Sequence, residues 1–186
     1  MTEEMLLAVG VLAVVALAAV IFFWLRHANK HKHLRSKFGP EYDVAVRRYG
    51  NKSKAERALA ERTARTQSYL LRKLQDDERH HFSSEWMLTQ SRFVDDPEGA
   101  VERADDLVSS LMEARGYPMS TFELQAEDLS VDHPLVVRHY RAAHEIALSN
   151  SKGRASTEDL RQAMVHYREL FADLLGKQTQ TLEVHL

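Results

Sequence analysis

The chain has 186 residues, 44% of them hydrophobic and 28% charged, a balance that supports one ordinary domain with a little appended and excludes wholesale disorder. Cys is absent, so disulfides, thiolate-bound metals and a Cys nucleophile are excluded. Seven Gly and 4 Pro exclude collagen-like sequence and argue against a turn-rich all-β fold, and the net charge of −2 conceals a segregated layout.

Residues 1–4 form a short acidic tail. Residues 5–25 (MLLAVGVLAVVALAAVIFFWL) then run without a charge. As a helix rising about 1.5 Å per residue they would be roughly 31 Å long, the thickness of a hydrocarbon core. Thirteen of them are Leu, Ile, Val or Phe, each favouring insertion by about 0.4 kcal/mol near the bilayer centre. A cleavable signal peptide is the rival reading. It needs a basic start and a short apolar core, whereas Glu3 and Glu4 precede a long one, and the small-residue triplet Ala16-Leu17-Ala18 lies inside the run. The spacing predicts an uncleaved single-pass anchor.

Residues 26–37 are a basic juxtamembrane collar. Arg26, Lys30, Lys32, Arg35 and Lys37 face no acid in this stretch, and His27, His31 and His33 accompany them. Basic flanks stay cytoplasmic, so the N-terminus is expected outside the cell membrane and everything from residue 26 onward inside it. The collar would lie against anionic headgroups, each cation contributing about 1 kcal/mol.

From the collar onward, residues 26–74 hold 14 Lys/Arg against 4 Asp/Glu, residues 75–128 hold 4 against 14, and the remainder is balanced at 7 and 7. Residues 38–75 read as a proximal basic helical arm. Phe38-Gly39-Pro40 breaks the first helix, Pro40 starts a short one ended by Gly50, and a long charged helix runs from Lys52 to Leu74. Its apolar stripe is weak, so it is expected to pack loosely, as a mobile arm between membrane and bundle. Sparse aromatics argue against nucleic acid as its target.

Residues 76–175 read as the helical bundle. Asp76 or Asp77 can cap a helix to Val94 with Phe82, Trp86, Gln90 and Phe93 on one face. Asp96-Pro97 starts a helix carrying Val101, Ala104, Leu107, Val108, Leu111 and Met112 at helical spacing, and Gly116 ends it. Ser120-x-x-Glu123 is a capping-box pattern for a short helix. Asp132-His133-Pro134 opens the next, with Val137, Tyr140, His144 and Leu148 in line. Ser156 to Asp159 caps the last, whose stripe runs from Leu160 to Leu175. Residues 176–186 read as a flexible tail. The tripeptide His-Tyr-Arg occurs at 139–141 and again at 166–168. The fold class expected is all-α: an N-terminal transmembrane helix followed by a cytoplasmic helical bundle.

Several runs resemble a family of uncharacterised single-span bacterial membrane proteins, often labelled hypothetical or secreted: Phe38-Gly39-Pro40-Glu41-Tyr42-Asp43, Arg92-Phe93-Val94-Asp95-Asp96-Pro97, Arg115-Gly116-Tyr117-Pro118, and Ser130-Val131-Asp132-His133-Pro134 with Tyr140, Arg141 and His144 downstream. The resemblance covers nearly the whole chain. It implies a bacterial anchored protein and carries no activity and no catalytic residue.

Ten histidines invite a metal, but the collar pair His27 and His31 has no carboxylate nearby, and His80 and His81 point apart on a helix. Phosphate loops, zinc-protease helices and nucleophile elbows have no match. His133, His139, His144 and His166 are the more informative set. If the helices of Asp105 and His144 face one another, these two would pair, either as an acid–base unit or as a satisfied polar contact in the core. The polar-site candidates are therefore Asp105, Asp132, His133, Tyr140 and His144, with no catalytic, metal or cofactor residue assigned and no cofactor called for. The expected function is a non-enzymatic interaction or scaffold module at the cytoplasmic face, with the lipid bilayer and another protein as partners. The alternative is a hydrolase or metal-binding enzyme using bundle Asp and His residues.

Overall fold

Gly39 and Pro40 do what their chemistry allows: residues 33–38 are helical, Gly39 takes a left-handed φ of 48°, and Pro40 occupies the first position of the next helix. A computed structural model of the chain describes residues 12, 17, 18 and 33–176. All regular structure among them is helical, in seven further elements: α1 (Pro40–Tyr49), α2 (Lys52–Thr66), α3 (Asp76–Arg92), α4 (Pro97–Ala114), α5 (Phe122–Asp132), α6 (Val137–Asn150) and α7 (Thr157–Leu175). None of the described helices is long and apolar enough to cross a membrane. The anchor expected over residues 5–25 lies outside the described residues except at positions 12, 17 and 18, as do residues 1–4, Arg26, Lys30 and Lys32 of the collar, and residues 177–186.

The described chain forms two compact units that part at Leu59–Ala60, earlier in the sequence than the change expected at residue 75. In the first unit, Glu41 and Asp43 sit in the first turn of α1, where the helix dipole favours them, and Gly50 ends it in the left-handed region. The Asn51 side chain then accepts from the Ser53 and Lys54 amides at 2.8 and 3.3 Å, starting α2. Tyr42 of α1 donates to Glu56 of α2 at 2.8 Å, and both are buried. Of the collar, Arg35 is largely exposed, 3.8 Å from Asp43, and Lys37 lies over the Phe38 ring.

The second unit is the bundle. α7 packs most extensively on α6 and α4, and α3 lies along α4. The stripes of α4 and α7 carry the core: Val101, Ala104, Leu107, Val108, Leu111 and Met112 face Leu160, Ala163, Tyr167, Leu170, Phe171 and Leu174, all buried. Trp86 of α3 stacks on Phe171 at 4.8 Å between ring centroids. Elsewhere the buried face departs from expectation. Thr89 is buried on α3 in place of Gln90, and Ala143 rather than Leu148 is buried on α6. Hydroxyl back-bonding makes Thr89 acceptable inside, since its Oγ1 donates to the Glu85 carbonyl at 2.8 Å.

The long basic helix is also corrected. It ends at Thr66, eight residues short of Leu74, and its last turns are docked. Arg62 donates to Glu127 at 3.0 Å, Arg65 to Asp128 at 2.7 Å, and Tyr69 to the other oxygen of Asp128 at 2.6 Å. Leu71 and Leu74 then enter the bundle core. Gly116 lets this segment run close by: a Cβ there would stand 2.5 Å from the Leu70 carbonyl oxygen.

Caps set the helix starts. Asp96 accepts from the Gly99 amide at 2.9 Å, with Pro97 at the first helical position. The cap expected at Ser156 to Asp159 is a reciprocal box between Ser156 and Asp159 on α7. On α3 the box is Gln75 with Glu78, one residue before the expected Asp76, and α5 starts from Thr121 without a side-chain cap. Glu78 receives Arg72 through both oxygens, and this contact, followed by the Gln75 amide, holds its carboxyl at about 2 against an ordinary 4.5. Glu158, bound by Arg161 and then Gln162, is held at about 2 as well. A depressed carboxyl contributes stability above its unfolded pKa and loses it as pH falls through the folded one. Lowering the pH from 4.5 to 2 should therefore lower Tm, and a Glu78→Gln, Glu158→Gln double variant should show a shallower decline over that window. Equal slopes in the two proteins would refute the assignment.

Candidate functional site

Three helices of the bundle end at one place. Arg115 follows the last residue of α4, His133 follows the last residue of α5, and Asp173 and Leu174 lie in the last turn of α7. Each C-terminus brings unpaired carbonyls and about half a negative charge, so the junction calls for cations and donors. Arg115 supplies both. Its Nη1 donates to the Leu174 carbonyl at 3.0 Å and stands 3.4 Å from Nε2 of His133. Nδ1 of His133 is in short hydrogen-bond contact with Oδ2 of Asp173. With the Nδ1 proton donated to Asp173, Nε2 carries the lone pair and accepts from Arg115.

A cleft of about 360 Å³ opens on this trio, lined also by Lys73, Leu74, Arg79, Leu175 and Gly176. A second hollow of about 540 Å³ adjoins it along Arg79, Leu175 and Gly176, and adds Asp76, His80, Ser83 and Ala172. The His133–Asp173 pair has the order of atoms found in an acid–base dyad, but the nitrogen that would take a substrate proton faces the Arg115 guanidinium. What the arrangement does is join three helix ends with one cation and one imidazole.

Of the five polar candidates, His133 alone among them reaches this cleft. Asp105 does not meet His144, because its Oδ1 accepts the Tyr167 hydroxyl at 2.8 Å. Burial, then the charge of Asp105, pushes the Tyr167 phenol far up. Tyr140 donates to Gln125 at 3.1 Å, and burial likewise raises its pKa. Asp132 accepts from Tyr117 at 3.4 Å, and the Tyr117 phenol is raised by burial and then by Asp132. His144 lies on the side of α6 that faces α5, stacked on Phe122 at 3.6 Å with the rings 8° apart, and its Nδ1 is buried without a hydrogen bond. The helix wheel placed Asp105 and His144 on apolar stripes, but the stripes look at different neighbours: α7 for one, α5 for the other.

Arg115 and Asp173 were absent from the candidates. One signal was there. An acid in the last turn of a helix opposes the dipole, so Asp173, with no basic residue in that turn, requires a cationic or donor partner from elsewhere in the chain.

One surface feature completes the site inventory. α3 is apolar on two sides. Phe82 and Trp86 are buried, while Met87 is 62% exposed, Leu88 63% and, just past the helix, Val94 84%. Positions 77, 84, 87, 88 and 91 follow helical spacing along this outer side, Val94 and Asp95 follow in the turn past its end, and both Asp77 and Asp95 are exposed. No protein-family model, no curated protein and no solved structure matches the chain.

Proposed function

We propose that this chain is a membrane-anchored helical interaction module, held by residues 5–25 with the bundle at the cytoplasmic face, and that the outer side of α3 receives a basic amphipathic helix of another protein. The observation that carries the reading is the exposed stripe of Met87, Leu88 and Val94 bounded by Asp77 and Asp95. A soluble helix normally shows solvent its polar side, and Met is suited to adaptable apolar contacts. Residues 75–128 carry 14 acids against 4 bases, which favours a cationic partner and its electrostatic steering. The polar candidates agree with this, since Asp105, Asp132 and Tyr140 are each joined to another bundle side chain.

The test is photo-cross-linking in native membranes, with the reactive side chain placed at Leu88 or Val94 and, as a control, at Lys152 in the α6–α7 turn. A distinct heterologous adduct at 88 and 94, absent at 152 and suppressed by Met87→Asp, is the expected result. Adducts only between copies of this chain, or the same adducts at all three positions, would overturn the partner assignment. A reporter fused after Leu186 should be active only as a cytoplasmic fusion, and activity outside the membrane would overturn the orientation.

A further inference from the structure

The repeated His-Tyr-Arg tripeptide has a structural consequence that the interaction surface does not use. α6 and α7 are joined by a short turn and pack along their length, which makes them antiparallel neighbours. Each tripeptide sends its Tyr into the same core, Tyr140 to Gln125 and Tyr167 to Asp105. The preceding His of each is thereby turned toward the other helix. His139 and His166 meet with their Nδ1 atoms 2.9 Å apart and ring centroids 5.1 Å apart. Both are half-buried, and each is followed in sequence by a buried Tyr that fixes the backbone it stands on.

Two imidazole nitrogens at this separation share one proton, and a metal ion can take its place. Neighbouring ligands at about 2.0 Å from an ion stand about 2.8 Å apart in tetragonal geometry and about 3.3 Å apart in tetrahedral geometry. The observed 2.9 Å lies inside that range. We propose that His139 and His166 form a two-imidazole site for a divalent late first-row transition-metal ion, with the Glu169 carboxylate swinging in as an oxygen ligand and water filling the remaining positions. Glu169 lies three residues after His166 on α7, the spacing that places both on one helix face, and its charge already acts on His139. Among the described residues no three His, Cys, Asp or Glu side chains stand at ligand spacing without movement, so the pair dominates the affinity. Arg138, whose Nε is 3.4 Å from His139 Nε2, is exposed and must swing outward as that nitrogen takes up the proton. The bound ion would staple α6 to α7, and affinity should rank copper(II) above nickel(II), with manganese(II) weakest.

The experiment uses the full chain in detergent, without a histidine tag, titrated with copper(II) or zinc(II) chloride. One equivalent is expected to bind and to raise Tm by about 5 °C or more at saturation. Affinity should fall at least tenfold in His139→Ala and in His166→Ala, while replacement of His27, His31 and His33, or of His80 and His81, by Gln leaves it unchanged. Should an Ala variant lose its helical spectrum, His139→Gln and His166→Gln keep the volume and serve instead. Copper(II) EPR of the unsubstituted chain should show coupling to two imidazole nitrogens. The proposal is overturned by coupling to fewer than two nitrogens. It is also overturned by undiminished binding in the His139, His166 double variant, or by loss of binding in the other two sets.

Discussion

Glu127→Ala should cost about 3–5 kcal/mol of stability, several times the cost of Arg62→Met at the other end of the same ion pair. The asymmetry follows from burial. The Arg62 side chain is 3% exposed, and Glu127 supplies its carboxylate at 3.0 Å. Without Glu127 the guanidinium keeps, among the described residues, the Ser130 hydroxyl at 3.4 Å, and an uncompensated buried cation is among the most destabilising single defects. Arg62→Met removes the charge and its desolvation together, and removes an Nε that has no hydrogen-bond partner now. Glu127 then retains Arg65, 3.5 Å away. We expect Arg62→Met to fall within about 1 kcal/mol of the parent, as apolar replacements of buried ion pairs commonly do. Urea unfolding of the full chain in mild detergent reads both. Equal losses in the two variants would show that the pair is hydrated and that the end of α2 is the loose arm its composition suggests.

Trp86→Ala should cost about 3–5 kcal/mol, and Leu88→Ala, two residues on, no more than about 0.5 kcal/mol. Trp86 lies against Phe171 with their planes 17° apart, in the seam where α3 meets α7. Its removal forfeits the transfer energy of a large ring and leaves a cavity beneath α3. Leu88 already faces solvent, so its loss removes little buried area. Thermal unfolding of the two variants side by side makes the comparison. A large loss at Leu88 would mean that the outer side of α3 is covered in the unbound chain, and the docking surface proposed for it would have to be withdrawn.

The polar candidates show where reading by helical face stops. Asp96-Pro97, Ser156 with Asp159, Gly50 and Gly116 act within a few residues of themselves, so their roles as caps and stops were visible in the chain. The stripes of α4 and α7 were visible for the same reason, since a 3.6-residue period is a local property. The cap of α3 was placed at Asp76 or Asp77, one or two residues late, because Asp is the commoner cap, while Gln75 gains its role from the reciprocal bond with Glu78.

The uncharged apolar run of residues 5–25, on which the proposed anchor and its orientation rest, and the opposed charge blocks are read from composition alone, because length, hydropathy and charge count need no partner to be defined. Which side chains meet was a different matter. A periodic stripe states that a helix has a buried side and leaves open which neighbour covers it. Asp105 therefore found Tyr167 rather than His144, Arg62 and Arg65 docked on Glu127 and Asp128, and the ends of α4, α5 and α7 came together around Arg115 and His133. The two copies of His-Tyr-Arg were legible as a repeat, but their imidazoles became a pair only when the α6–α7 turn reversed the chain and set residue 139 beside residue 166. Such contacts join residues 18 to 65 positions apart, and helix packing rather than local sequence selects them.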